Sequence, residues 1–186
     1  MKRTLLIIVA TMTLGMVCAQ QQPAKMRVEV SEAETDSGNY SIFTYQDNDS
    51  VDTFAYYLSL GRVTDFLGAD EILGMEVKNI HEVTIRLGAT TDEALTAINA
   101  ILDLFDKDVD TQAEFQGRAA TSGFSLGDPV TATCVVVKKM LGGKRLEFLF
   151  PEGKRQGRVY LTKSVIKELR TNFKLDIKLH PKHHRK

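Results

Sequence analysis

Residues 130–150 read VTATCVVVKKMLGGKRLEFLF. Two runs rich in β-branched, aliphatic and aromatic residues, 130–141 and 144–150, flank Gly142-Gly143. A Gly-Gly pair supplies the positive φ angles that a tight hairpin turn needs. The stretch therefore predicts two antiparallel strands. Downstream, PEGKRQG (151–157) turns the chain again into RVYLT (158–162), which makes the region a meander. Successive turns of a meander lie at opposite ends of the sheet, so the basic residues of GGKR and EGKR are not expected to form one patch. With Phe148 and Phe150 alternating onto a single face, the interleaving of basic and aromatic residues reads as sheet packing and not as a nucleic-acid surface.

Beyond the meander, KSVIKELRTNFK (163–174) brings Val165, Ile166, Leu169 and Phe173 to one side, the spacing of an amphipathic helix. Leu175, Ile177 and Leu179 then alternate, which reads as a short last strand. Residues 181–186 form a basic tail, expected to be solvated and mobile. The tail and the residue before it carry His180, His183 and His184, a short histidine-rich tract able to hold a metal loosely.

The clearest helix lies upstream. TTDEALTAINAILDLFDKD (90–108) opens on Thr90 with Glu93 three residues on, a capping box. Ala94, Leu95, Ile98, Ile101, Leu102 and Phe105 recur at helical spacing, predicting a helix over 91–106 that lies on a sheet. Between this helix and the meander, TQAEFQGRAA (111–120) is polar enough to suggest an edge strand, and SGFSLGDP (122–129) a loop. Before the helix, NIHEVTIRL (79–87) alternates His81, Val83, Ile85 and Leu87 against Glu82, Thr84 and Arg86, a half-buried strand. Gly61, Gly68 and Gly74 break 61–78 into pieces that fit no long element. YSIFTY (40–45) and TFAYYLSL (53–60) read as a hairpin around QDNDSVD, and Met26, Val28 and Val30 alternate as a first strand before the turn-rich SEAETDSGN. Strands outnumber helices, and the visible turns are hairpins. The expected fold class is α+β: a mainly antiparallel sheet with two amphipathic helices packed on one face.

The start of the chain reads differently. Met1-Lys2-Arg3 precedes TLLIIVATMTLGMV (4–17), a basic start and a short apolar run in the pattern of a secretory signal. The run is shorter than the about 20 apolar residues a membrane span needs. Two processing routes compete. Lipoprotein processing at Cys18 would want a bulky aliphatic residue where Gly15 stands and a small one where Val17 stands. Cleavage after Ala19 finds Val17 and Ala19 at the two small-residue positions, leaving Gln20 as the new N-terminus. The expected organisation is a signal peptide over 1–19, a flexible leader over 20–24 and one globular domain over 25–180. The signal looks bacterial, so a periplasmic or extracellular location follows, with anchorage at Cys18 as the alternative.

The precursor carries 24 basic and 24 acidic side chains, and loss of Lys2 and Arg3 makes the product slightly acidic. No overall field points to nucleic acid or membrane. Cys134 is then the one remaining cysteine, which excludes an internal disulfide and the disulfide-rich secreted scaffolds. It sits mid-strand among β-branched residues, the setting of an inert buried thiol.

Candidate chemistry is sparse. Ser164-Val165-Ile166-Lys167 matches S-x-x-K, in which one helical turn brings an amine near a hydroxyl, but the companion K-T-G and S-D-N motifs are absent. DNDSVD (47–52) lacks the fifth-position oxygen and sixth-position glycine of a calcium loop. His81 is the catalytic candidate, an imidazole poised for acid–base work beside an unassigned carboxylate. Tyr40, Tyr45, Tyr56 and Tyr57 on one hairpin could present an exposed ligand surface, since tyrosine joins apolar area to a polar tip. The expectation is an exported, soluble envelope protein that binds another envelope component or a small ligand without catalysis and without a cofactor. A small hydrolase built on His81 is the alternative.

Overall fold

The structure, a computed structural model, describes residues 25–35, 38–47, 54–61, 65–67, 82–120, 126–140, 142–152 and 155–185. Its strands are β1 (Lys25–Thr35), β2 (Gly38–Asp47), β3 (Phe54–Ser59), β4 (Asp65–Leu67), β5 (Glu82–Gly88), β6 (Gln112–Ala120), β7 (Asp128–Lys138), β8 (Lys144–Glu152) and β9 (Arg155–Leu161). Two helices complete it, α1 (Thr91–Leu104) between β5 and β6 and α2 (Lys163–Leu179) after β9. The strands form one sheet in the order β1-β2-β3-β5-β6-β7-β8-β9-β4, every neighbouring pair antiparallel. An α+β fold with a mainly antiparallel sheet is what the sequence led us to expect.

The sheet is curled. Five strands separate β2 from β9, so on a flat sheet they would stand about 29 Å apart. Yet the Tyr40 hydroxyl on β2 donates to the Tyr160 carbonyl on β9 at 2.9 Å. Side-chain reach closes only a few ångströms of that gap, and curvature closes the rest. Alternation then sorts residues onto an inner and an outer surface. Ile42, Tyr56, Leu58, Val83, Ile85, Cys134, Phe148 and Phe150 turn inward to one buried cluster. Ala94, Ile98 and Ile101 of α1 and Val165, Ile166, Leu169 and Phe173 of α2 belong to the same cluster. Each such fully buried large side chain contributes about 1.5–3 kcal/mol. A small second cluster of Phe43, Ala55 and Tyr57 sits on the outer surface.

Local signals explain several elements. Thr90 accepts from the Glu93 backbone N–H at 3.2 Å, and the Glu93 carboxylate reaches back to the Thr90 N–H, so the capping box forms. Gly88 supports it: its φ is +141°, and a Cβ there would lie 2.4 Å from the Glu93 Cβ. Gly142 and Gly143 both have positive φ, 91° and 79°, as the hairpin between β7 and β8 requires.

Four expectations need correction. SEAETDSGN is mostly strand, because β1 runs to Thr35 and β2 resumes at Gly38. The segment 111–120 is no edge: β6 pairs with β5 on one side and β7 on the other. Its polar residues face the open outer surface, which an interior strand of a one-sided sheet tolerates. Leu175, Ile177 and Leu179 extend α2 instead of forming a strand. Finally, the segment after α2 is docked rather than a free tail. The His184 side chain is 2% exposed, and the Arg185 carbonyl accepts the Thr91 N–H at 2.9 Å. Among the described residues no helix is long and apolar enough to cross a membrane.

Candidate functional site

The outer surface of β1, β2, β3 and β5 carries the most organised polar arrangement described. Arg27 on β1 is its pivot. One guanidinium nitrogen donates to Glu82 Oε2 at 2.6 Å and the other to Oε1 at 2.9 Å. This bidentate pair reaches over β2 and β3 to β5. Arg27 Nε donates to Glu29 Oε1 at 2.7 Å. Ser59 on β3 donates to Glu82 Oε1 at 2.6 Å and accepts the Gly61 N–H at 3.3 Å.

Beneath this layer lies the outer apolar cluster. The guanidinium carbon of Arg27 is 3.7 Å from the Phe43 ring centroid, a cation–π contact. Phe43 in turn stacks on Tyr57, with ring centroids 5.6 Å apart. Desolvation alone would lower the Arg27 pKa; the hydrogen bonds and charges of Glu82 and Glu29 outweigh it, so the net direction is upward. The guanidinium is a permanent cation.

An open groove of about 400 Å³ runs over this floor, lined by Arg27, Glu29, Glu32, Glu34, Ser59 and Glu82 among others. Four carboxylates against one guanidinium give it an acidic character. Among its described lining residues no hydroxyl or thiol faces an imidazole or an amine. Ser59 spends its hydroxyl on Glu82 and Gly61. The arrangement can hold a ligand by charge and hydrogen bonds.

The tyrosines occupy different places. Tyr40, Tyr56 and Tyr57 are buried, at 6%, 0% and 2% exposure, and only Tyr45 is half-buried, so the expected exposed aromatic surface is corrected. The reason is the pleat. Tyr40 and Tyr56 point into the inner core, whereas Tyr57 lies under the outer layer with Tyr45 packed beside it. Tyr56 instead joins the histidines after α2. Its oxygen lies 3.1 Å from His184 Nδ1 and 3.3 Å from the Arg185 backbone nitrogen. His184 Nε2 lies 2.9 Å from Asp176 Oδ2, and His180 Nδ1 lies 2.7 Å from Asp176 Oδ1. One arrangement satisfies every group. The Arg185 N–H donates to the tyrosine oxygen, the tyrosine O–H to Nδ1, and Nε2–H to the carboxylate. Desolvation is the main cause that raises the Tyr56 pKa. His183 stacks on His180 at 5.3 Å. Among the described residues no group of three or more His, Cys, Asp or Glu is arranged to hold a metal ion.

His81, Ala19, Gln20, Cys18 and most of the 47–52 loop lie outside the described residues. Cys134 is buried and free, and desolvation pushes its thiol up to about 12. Its strand is separated from β5 by β6. The Ser164 hydroxyl lies 3.0 Å from that of Thr162, while Lys167 is exposed. Of the basic residues in the meander, Arg145 stacks over Tyr160 at 3.7 Å and Arg158 lies 2.8 Å from Glu147.

Sequence reasoning missed the Arg27–Glu82 pair. Both stand on the polar side of a strand, which alternation shows, but strand order across 55 residues of separation is not written in either pattern. Compared with protein-family models, with curated proteins and with solved structures, the chain matches none of them.

Proposed function

We propose that this chain is an exported, soluble component of a bacterial envelope that binds a partner or small ligand without catalysis, and that the outer sheet surface around Arg27 and Glu82 is where it binds. In this reading residues 1–19 are a signal peptide removed after Ala19. Both helices cover the inner face of the sheet and leave the outer face for recognition. The observation that carries the binding reading is the groove itself. A bidentate, cation–π-stacked arginine forms a rigid floor, and the exposed Glu32 and Glu34 rise beside it. Such a surface suits a ligand bearing a cationic group.

The test has two parts. Mass and N-terminal analysis of the protein from a native envelope fraction should find Gln20 first; a diacylglyceryl-modified Cys18 would overturn the soluble route. Pull-down from envelope extract should capture a saturable partner that is released by salt and lost with Glu32→Lys plus Glu34→Lys. Equal capture by that variant would remove the groove from the proposal.

A further inference from the structure

Six large apolar side chains are strongly exposed among the described residues, and four of them, Met26, Val28, Leu175 and Leu179, fall at one place in the fold. We propose that this place, the start of β1 and the C-terminal half of α2, docks the protein on the surface of an anionic lipid bilayer. The contact is peripheral and reversible. It goes beyond the reading above and does not depend on the groove around Arg27.

Strand pairing and helical spacing bring the four together. Val28 pairs with Thr44, and Thr44 pairs with Tyr56. Cross-strand partners share a face, so Val28 and Met26, two residues before it, lie on the inner side of the sheet with Tyr56. α2 crosses that side. Phe173 packs on Tyr56, with ring centroids 5.5 Å apart, and the Asn172 side-chain amide donates to the Glu32 carbonyl of β1 at 3.1 Å. Leu175 and Leu179 follow Asn172 by three and seven residues and so share its flank of the helix, the one turned to β1. The helix leaves Val28 and Met26 36% and 45% exposed, and Leu175 and Leu179 are 54% and 63% exposed beside them.

The neighbouring charges name the occupant. Lys174 and Lys178 immediately precede the two leucines, so a row of ammonium groups runs along the leucine row, and Lys182 continues it past the helix. All three lysines are exposed, and none has a hydrogen bond or ion pair among the described residues. The one carboxylate between Thr171 and Arg185, that of Asp176, is engaged by His180 and His184. Apolar and basic side chains in adjacent rows suit an anionic membrane: the leucines enter the acyl boundary and the lysines reach the headgroups. Glu29, Glu32 and Glu34 line the groove on the outer side of β1. The acidic and basic surfaces therefore face different ways, and an anionic bilayer attracts one and repels the other.

The experiment is co-sedimentation of the native protein with vesicles of phosphatidylcholine alone and of phosphatidylcholine mixed equally with phosphatidylglycerol. Saturable binding to the mixed vesicles, released by salt, is expected, with little binding to phosphatidylcholine. Lys174→Gln plus Lys178→Gln should weaken it by about thirtyfold. Leu175→Ser plus Leu179→Ser should weaken it by about tenfold or more. All four positions are exposed, so both variants should keep the wild-type melting temperature. Equal binding to the two vesicle types, no binding to the mixed ones, or unchanged binding by either variant would overturn the surface. If binding is absent and the protein sediments as a dimer that the leucine variant dissociates, the patch belongs to a second copy and not to a membrane. Glu32→Lys plus Glu34→Lys should still bind the mixed vesicles, so the groove and this surface fail separately.

Discussion

Cys134 shows how one residue's surroundings become a property of the whole chain. Burial raises its pKa from 9.0 to about 12. Near pH 9 the unfolded chain releases this proton and the folded chain keeps it. The stabilisation is complete below that pH and falls as pH rises toward 12, by about 1.4 kcal/mol per pH unit. Tyr56, also raised, acts in the same direction above pH 10.0. Urea midpoints followed from pH 9 to about 12 should fall steadily, and Cys134→Ala should flatten the first part of that fall. Tyr56→Phe removes the donor to His184 Nδ1 and the acceptor for the Arg185 N–H. It should cost about 1–3 kcal/mol in thermal or urea unfolding, with faster amide exchange at Arg185. The inert thiol was legible in the sequence because β-branched neighbours on a strand mean burial. The role of Tyr56 was not: a tyrosine looks the same whether its hydroxyl meets water or a histidine 128 residues away.

At the scale of elements, the capping box was legible because both of its partners lie within four residues. Thr90→Ala should destabilise the protein by about 1 kcal/mol, read from the urea midpoint, with fraying of the first turn of α1 seen in amide exchange. The end of α2 was misread for a physical reason. Leu175 and Leu179 are four apart and Ile177 lies between them, so period-two and helical spacing coincide over so short a span. The i,i+4 contact of Asp176 with His180 is what the helix uses there. β6 was misplaced because polarity reports the solvation of a face, whereas an edge is defined by missing ladder partners. Hydrogen-bond pairing of a strand is a property of its neighbours, and Gln112–Ala120 cannot announce them alone.

At the scale of the molecule, three long-range contacts hold the curl. Ser31 donates to the Leu169 carbonyl at 2.8 Å, Tyr40 reaches Tyr160, and Tyr56 meets His184. A chain stopped after Leu179 should lose the His184 and Arg185 contacts, melt at lower temperature and bind a hydrophobic dye at the uncovered Phe54 and Tyr56. An unchanged melting temperature would show that the docked segment contributes nothing to the core. The same three contacts have a kinetic consequence. They join residues 138, 120 and 128 positions apart. Most strand ladders join neighbours in sequence, so these three contacts are the ones that close the longest loops and form late. During synthesis the first strands and α1 emerge before α2, whose Val165, Ile166, Leu169 and Phe173 complete the inner cluster. The inner core of the nascent chain is therefore completed only near the end of its production.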